Sequence, residues 1–155
     1  MSSRLVQLGG VVRSFPERSI PMEGPMQDGF GRRVEYLRIS VTDKCNLRCV
    51  YCMPEEGLPW LRREDLLSFE EIASIVRTMA AMGLRRIRIT GGEPPVRRDL
   101  PVLVRLVRDV AAIEDIALST NAVLLDEQAV ALREAGVNRI NASLDSLRPD
   151  RIDAI

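Results

Sequence analysis

The alternation of hydrophobic and polar residues along the chain predicts four β-strands. Between Tyr36 and Thr42 every second side chain is aliphatic, which is the period of a strand with one buried face. Similar alternation returns in three later stretches, at residues 85–90, 116–120 and 137–144. Each strand is therefore expected to present one apolar face and one polar face.

Apolar residues at helical spacing fill the intervals between these strands. The first helix is preceded by a capping box, because Ser68 is followed three residues later by Glu71, an arrangement that satisfies two backbone donors at a helix start. Asp99 and Asp126 stand at the start of the second and third helices. The predicted order is strand and helix in strict alternation.

Strands that alternate with helices at this spacing favour parallel pairing with right-handed crossovers, so the predicted fold class is α/β. A complete (βα) barrel needs on the order of 200 residues or more, and this chain has 155. We therefore expect a partial (βα) barrel of about four βα units, truncated before the barrel closes. Residues 35–155 would form the N-terminal part of this core domain, and residues 1–34, rich in Gly and Pro, a flexible extension.

Sorting the strand residues by parity separates an apolar face, which must lie against the helices, from a polar face. Neighbouring arginines on the polar face are favourable when an anion pairs with them, which indicates a phosphorylated ligand. A solvated sheet face is the equally weighted alternative. The apolar set is Leu37, Ile39, Val41, Ile87, Ile89, Ile116, Leu118, Ile140, Ala142 and Leu144, and the polar set is Arg38, Ser40, Thr42, Arg86, Arg88, Thr90, Ser119, Asn121, Asn141, Ser143 and Asp145.

Composition narrows the class of protein. Lys plus Arg (22) balance Asp plus Glu (22), and 46% of residues are apolar, so nucleic acid and membrane are not expected as partners. No stretch approaches the roughly 18 apolar residues of a membrane span, and residues 1–30 lack a secretory signal, so a cytoplasmic location is expected. Histidine is absent, which excludes His-based acid–base catalysis and His-containing zinc sites.

All three cysteines, Cys45, Cys49 and Cys52, follow the first strand with the spacing C-x3-C-x2-C. In α/β folds this end of a strand is where ligands bind. Three thiolates can hold three irons of a [4Fe–4S] cluster and leave the fourth iron without a protein ligand. Zinc bound by the three thiolates and a carboxylate such as Asp43 is the alternative.

A second motif, Gly91-Gly92-Glu93-Pro94, follows the second strand directly. Glycines there let the backbone approach a ligand closely, and the carboxylate of Glu93 is expected to accept from a cation. The motif is a weak signal alone. In a parallel sheet, however, this loop and the cysteine loop open at the same edge, and the pair favours the iron–sulfur interpretation over zinc.

Four segments resemble the radical S-adenosylmethionine enzymes, and most closely the GTP 3′,8-cyclases of molybdenum cofactor biosynthesis (the molybdenum cofactor biosynthesis protein A family). They are LRISVTDKCNLRCVYCMP at 37–54, IRITGGEP at 87–94, STN at 119–121 and NASLD at 141–145. The resemblance runs from about Val34 to the end of the chain. The first segment is specific to the cyclase subfamily.

The resemblance implies a [4Fe–4S] cluster on Cys45, Cys49 and Cys52, with S-adenosylmethionine bound at the open iron. It implies no catalytic side chain, because the cofactors carry the hard step. A 5′-deoxyadenosyl radical would take hydrogen from GTP, which becomes 3′,8-cyclo-7,8-dihydro-GTP. The residues implied at S-adenosylmethionine are Tyr51, Gly92 and Ser143, and those implied at GTP are Arg38, Arg88 and Ser119.

The resemblance also implies partners: GTP as substrate, an electron donor such as flavodoxin or ferredoxin, and a homodimer as one arrangement of full-length members. Full-length members carry a second cluster, whose cysteines are absent here, so this chain is expected to be an incomplete copy. Whether it acts alone stays open. The alternatives are a radical S-adenosylmethionine enzyme with another substrate and an inactive metal-binding fragment.

Two residues depart from the family pattern. Pro95 stands where the family usually has leucine, and it restricts Pro94 and stiffens the loop. Ala122 replaces the usual glycine after Ser-Thr-Asn, so a positive φ at that turn would be costly.

Overall fold

A computed structural model of the chain describes residues 3–8, 11–16, 24–54 and 56–152. It starts with an antiparallel pair of strands, β1 (Ser3–Leu8) and β2 (Val11–Pro16). No regular element was predicted in this stretch. The sequence does hold a hairpin signal, because a Gly-Gly dipeptide separates the run Leu-Val-Gln-Leu from the run Val-Val.

The core of the fold is a four-stranded parallel sheet whose strands follow one another in chain order. A helix follows each strand, which confirms the predicted α/β class and the alternation of elements. The sheet does not close into a barrel within the described residues. The strands are β3 (Tyr36–Ser40), β4 (Arg86–Thr90), β5 (Asp115–Thr120) and β6 (Arg139–Ala142), and the helices are α1 (Phe69–Ala81), α2 (Leu100–Arg108), α3 (Leu125–Ala135) and α4 (Pro149–Ile152).

The apolar face of the sheet packs against the helices, as predicted for the central strands. Ile87 and Ile89 of β4 and Ile116 and Leu118 of β5 are each at most 1% exposed. They form one core with buried residues of α1, α2 and α3. β3 forms one edge of this sheet in the described residues, and its Leu37 and Ile39 are partly buried against the same core. No helix in the described part of the chain could span a membrane.

The prediction was wrong for β6. Ile140 is 41% exposed, Leu144 beyond the strand is 63% exposed, and Ala142 is also exposed. The reason is that β6 pairs only with β5 and forms an edge of the sheet in the described residues. Strand periodicity gives the parity of these side chains but does not show whether another element covers them.

The predicted capping box at the start of α1 is present. The Ser68 hydroxyl accepts from the Glu71 N–H at 3.1 Å, and the Glu71 carboxylate accepts from the Ser68 N–H at 2.7 Å. These two bonds satisfy donors that an isolated helix start leaves unpaired.

Replacing the cap should therefore destabilise the whole α1 layer. We expect Ser68→Ala to lower the free energy of unfolding by about 1 kcal/mol, measured by urea denaturation. Ser74→Ala, on the exposed side of the same helix, is the matched control and should change stability by less than about 0.5 kcal/mol. Equal losses in the two variants would contradict a capping role.

Candidate metal and cofactor site

The three cysteines lie on the loop that leaves the carboxyl end of β3. The Cys49 carbonyl accepts from the N–H groups of Cys52 at 2.9 Å and Met53 at 3.0 Å, so the second and third cysteines share one tight turn. Cys45 and Cys49 are partly buried and Cys52 is exposed, and all three are free thiols. The loop therefore offers three sulfur donors and no disulfide.

Across the described residues, no three Cys, Asp or Glu side chains are close enough to hold one metal ion as they stand. The donor set nevertheless fits an iron–sulfur cluster, because the Leu47 N–H donates to Cys45 Sγ at 3.4 Å. Hydrogen bonds to cysteine sulfur are among the features that tune such clusters. The three cysteines remain predicted ligands.

The zinc alternative assigned the fourth ligand to Asp43. In the structure Asp43 Oδ2 accepts from the Leu61 N–H at 2.6 Å, and Oδ1 is buried without a hydrogen-bond partner. The carboxylate thus fastens the cysteine loop to the segment before α1. Oδ1 is the oxygen left for a metal, so the bond to Leu61 does not exclude the zinc alternative.

The Gly-Gly-Glu-Pro loop lies against the backbone of the cysteine loop. The Gly92 N–H donates to the Thr42 carbonyl at 2.7 Å, and the Glu93 N–H donates to the Lys44 carbonyl at 2.8 Å. A Cβ on Gly92 would overlap the carbonyl oxygens of Asp43 and Lys44. Close approach was expected toward a ligand, and the structure shows that glycine is needed here for approach to the cysteine loop itself.

Glu93 has a different role from the one predicted. Its side chain is 1% exposed, the Thr120 hydroxyl donates to Oε1, and the Asn121 N–H donates to Oε2 at 2.7 Å. Within the described residues the carboxylate accepts from these two neutral donors and forms no ion pair. It holds the carboxyl end of β5 beside the loop after β4.

Asn121 joins this network to the cysteine loop. Its Nδ2 donates to Asn46 Oδ1 at 2.8 Å and lies 3.9 Å from Cys45 Sγ. Its Oδ1 accepts from the Val123 N–H at 3.0 Å. Sorting the strand residues by parity placed Asn121 in the polar set but predicted no partner for its side chain. Thr120 was missed altogether because strand parity places it with the apolar set.

The residues implied at S-adenosylmethionine come together at this edge of the sheet. The Tyr51 hydroxyl donates to Asp145 Oδ2 at 2.8 Å, which links the cysteine loop to the segment after β6. The Asp145 carboxylate and, next, the Cys49 thiol raise the pKa of the Tyr51 phenol above its usual range. The Ser143 N–H donates to the Thr120 carbonyl at 2.8 Å, so Ser143 lies beside the end of β5.

A cavity of about 680 Å³ lies beside the cysteine loop, between residues 61–70 and 96–102. Arg97 forms part of its wall and donates to the carbonyl oxygens of Val41 and Leu67, each at 2.6 Å. Its guanidinium lies 4.4 Å from the centre of the Phe69 ring. Burial and, second, the charge of Arg63 lower the pKa of Arg97. Arg97 thus connects the start of the cysteine loop, at Val41, to the segment before α1, at Leu67.

Two arginines on the polar face of the sheet have no acidic partner in the part of the chain that the structure describes. Arg38 and Arg88 are register partners on adjacent strands, and neither forms an ion pair within the described residues. Arg88 Nε is buried without a hydrogen-bond partner, and its guanidinium lies 5.9 Å from the centre of the Tyr36 ring. Like charges directly opposite each other destabilise a sheet, so an anion at this place would be favourable.

Two other arginines on the same face are neutralised. Arg86 forms an ion pair with Glu35 at 3.2 Å, and Arg139 pairs with Asp115. Ser119 lies on this face too, partly buried and opposite Asn141 of β6. The structure therefore brings Arg38, Arg88 and Ser119 onto one surface. Within the described residues, Arg86 and Arg139 on this surface form ion pairs, whereas Arg38 and Arg88 do not.

Parallel strands thus bring together, at one edge, a loop with three free cysteines, a Gly-Gly-Glu-Pro loop and the Ser-Thr-Asn turn. This arrangement defines an α/β protein with a thiol-rich ligand site at its strand ends. Residues 39–155 match the Radical SAM superfamily, and the chain belongs to this superfamily. Membership implies an iron–sulfur cluster and S-adenosylmethionine as cofactors.

Relatives of high identity have one activity in their names. A GTP 3′,8-cyclase from Pelotomaculum thermopropionicum is 58% identical over 126 residues, 81% of this chain and 39% of that protein. One from Listeria welshimeri is 54% identical over 130 residues, 84% of this chain and 39% of that protein. One from Heliobacterium modesticaldum is 51% identical over 130 residues, which are 84% of this chain and 40% of that protein. The chain spans about two fifths of the length of these relatives.

Solved structures confirm the fold class. BtrN in complex with AdoMet and 2-DOIA has a TM-score of 0.55 at 16% identity, covering 77% of this chain and 50% of that one. BtrN in an open conformation has a TM-score of 0.56 at 18% identity, and the match covers 77% of this chain and 54% of that one. At this identity the likeness concerns the fold alone.

Ala122 carries a backbone conformation that glycine would adopt more easily. Its φ is +66°, and an L-residue pays roughly 1–2 kcal/mol there, against a glycine entropy cost of roughly 0.5–1 kcal/mol. We expect Ala122→Gly to raise the free energy of unfolding by up to about 1 kcal/mol, measured by thermal unfolding. Ala131→Gly, exposed within α3, should instead lower it by about 1 kcal/mol. Destabilisation by both would contradict strain at Ala122.

Proposed function

We propose that this chain is the N-terminal part of a GTP 3′,8-cyclase, a lyase that converts GTP to 3′,8-cyclo-7,8-dihydro-GTP in molybdenum cofactor biosynthesis. Relatives with that name are 51–58% identical to it. The observation that carries the proposal is the pair Arg38 and Arg88, which has no acidic partner among the described residues. It lies on the polar face of a sheet whose carboxyl edge carries three cysteines.

In this proposal Cys45, Cys49 and Cys52 hold one [4Fe–4S] cluster and leave one iron open for S-adenosylmethionine. When bound, these cofactors supply a 5′-deoxyadenosyl radical that can take a hydrogen atom from GTP. The protein's task is orientation and the exclusion of side reactions. The structural support is that the loop offers three thiols, free of disulfides, with a backbone donor already directed at Cys45 Sγ.

The residues proposed to bind S-adenosylmethionine are Tyr51, Gly92 and Ser143. Tyr51 is exposed, and its hydroxyl is held by Asp145, so its ring is oriented before a ligand arrives. Gly92 is accessible although its Cα is pressed against the cysteine loop, so its backbone can face a ligand without an intervening side chain. These loops lie next to one another at the strand ends.

Arg38, Arg88 and Ser119 are proposed to bind GTP. Two guanidinium groups on neighbouring strands can each form charge-assisted hydrogen bonds with phosphate oxygens, and the phosphate removes their mutual repulsion. Ser119 lies on the same face, two residues beyond the register partner of Arg88 and therefore closer to the carboxyl edge. GTP in this position would present its ribose toward the thiol-rich edge of the sheet.

The proposal extends to partners. Reduction of the cluster requires an external one-electron donor, for which flavodoxin or ferredoxin is suited. A second cluster, the remainder of the barrel and a homodimer are proposed for the full-length protein. This chain spans 39% of the length of the first two relatives given above.

Anaerobic reconstitution with iron and sulfide tests the cluster. We expect about four irons per chain and a brown chromophore, both lost in Cys49→Ser, because the turn then lacks its middle thiolate. Val50→Ser on the same turn, where Val50 is 73% exposed, is the control and should load normally. One equivalent of zinc with no colour in the wild-type chain would support the metal-binding alternative and contradict the proposal.

Nucleotide binding tests the arginine pair. Arg88→Met should raise the Kd for GTP by about tenfold or more, because a hydrogen bond to a charged group contributes roughly 1.5–3 kcal/mol. Stability should be kept, since the substitution also removes repulsion from Arg38. Isothermal titration calorimetry measures the first and urea denaturation the second.

Arg86→Met is the matched control for this measurement, because Arg86 lies on the same strand as Arg88 but is already paired with Glu35. It should leave the Kd for GTP nearly unchanged. If the two variants raise the Kd for GTP equally, or if neither variant raises it, the arginine pair is not the phosphate site. Loss of GTP binding with normal cluster loading would favour a radical S-adenosylmethionine enzyme with another substrate.

A further inference from the structure

We propose that Asn121 is a positioning residue whose side-chain amide donates a hydrogen bond to Cys45 Sγ and raises the midpoint potential of the cluster. The inference rests on the proposed function, because it requires that Cys45 ligates iron. It adds a residue from the turn after β5 to the surroundings of a cysteine on the loop after β3.

The first observation is the contact itself. Asn121 Nδ2 lies 2.8 Å from Asn46 Oδ1 and 3.9 Å from Cys45 Sγ. A primary amide has two N–H donors, so one can serve the Asn46 oxygen while the other points at the sulfur. The contact to sulfur is long for the free thiol, and a thiolate ligand is a stronger acceptor than a thiol.

The second observation is that the amide can have only one orientation. Asn121 Oδ1 accepts from the Val123 N–H at 3.0 Å. Turning the amide by 180° would place its NH₂ group against that backbone donor and its oxygen against Asn46 Oδ1. Both contacts would then be repulsive. The hydrogen-bond pattern therefore directs the NH₂ group toward Cys45.

The third observation is the anchor behind Asn121. Its backbone N–H donates at 2.7 Å to Glu93 Oε2, and the neighbouring Thr120 hydroxyl donates to Oε1 of the same carboxylate, which is 1% exposed. Glu93 is in turn bonded through its N–H to the Lys44 carbonyl, next to Cys45.

These contacts form a closed ring: cysteine loop to Gly-Gly-Glu-Pro loop, then to the Ser-Thr-Asn turn, then back to Cys45. A donor fixed in such a ring does not need to move when charge changes. One-electron reduction adds a negative charge that the cluster shares with its thiolate ligands, and an N–H aimed at a ligand sulfur stabilises the reduced form. The midpoint potential is therefore higher with Asn121 than without it.

The sulfur has a second donor, the Leu47 N–H at 3.4 Å. A substitution at Asn121 should therefore leave the cluster able to assemble while it changes the potential. This separation between loading and potential distinguishes tuning from a merely structural role.

The test is a potentiometric titration, followed by electron paramagnetic resonance, of the full chain after reconstitution. We expect the midpoint potential to fall in the order wild type, Asn121→Ala, Asn121→Asp. Asp keeps the shape and the acceptor for Val123 but replaces the donor by a negative oxygen. For Asn121→Asp the ratio of reduced to oxidised cluster at a fixed potential should fall about tenfold, which is about 59 mV for one electron.

Asn141→Asp is the matched control. Asn141 is exposed on β6 and shows no hydrogen bond to the cysteine loop among the described residues, so it makes the same change of charge without the contact. Its shift should be small. A shift as large as that of Asn121→Asp would overturn the proposal, as would unchanged potentials in both Asn121 variants.

Iron content and thermal unfolding, measured on the same samples, separate the two proposals. Wild-type chain without iron would overturn the proposed function and this inference with it. Normal iron with unshifted potentials overturns only the inference, and loss of iron in folded Asn121 variants also overturns it, because the role would then be assembly.

If both variants fail to fold, the wild type decides. Side-chain amide ¹⁵N in asparagine should give a nitrogen coupling to the reduced cluster, and its absence would overturn the inference.

Discussion

The site depends on one buried carboxylate. Glu93 is 1% exposed, and a polar group out of water is costly unless it is hydrogen-bonded. Its two donors, the Thr120 hydroxyl and the Asn121 N–H, both come from the end of β5. The loop after β4 and the turn after β5 must therefore take their positions together, because either alone would leave buried polar groups unpaired.

The cysteine loop is joined to this pair through backbone contacts that only glycine allows. A Cβ at Gly92 would overlap carbonyl oxygens of the cysteine loop, and Gly91, at φ +156°, is equally close to the Thr42 carbonyl. Tyr51 then fastens the far end of the loop to Asp145 beyond β6. The loop with the three thiols is thus held by segments from the ends of the other three strands of the parallel sheet, although no ligand is needed for these contacts.

The periodicity of the sequence was enough for the parallel sheet, the three crossover helices and the capping box at Ser68, because these follow from spacing along the chain. It was not enough for contacts across strands. The sequence shows a carboxylate after β4, but not that its donors lie on β5, so Glu93 was given a cationic partner. Likewise, parity placed Ile140 on an apolar face but could not show that β6 is an edge, where that face stays uncovered. The arginine face was predictable because parallel register keeps residues of one parity together.

The departures from ordinary stability rules concentrate on the same side of the fold. Arg38 and Arg88 are register partners on adjacent strands, and Arg88 Nε is buried without a hydrogen-bond partner among the described residues. Ala122 adopts a left-handed backbone conformation. Each costs free energy that a sequence selected for stability alone would avoid. The other arginines of the polar face show that this fold can supply acids, since Glu35 and Asp115 neutralise two of them. Leaving Arg38 and Arg88 without an acid among the described residues is therefore a specific feature of the sequence. An anionic ligand next to the thiol-rich edge is the arrangement that would turn this cost into binding.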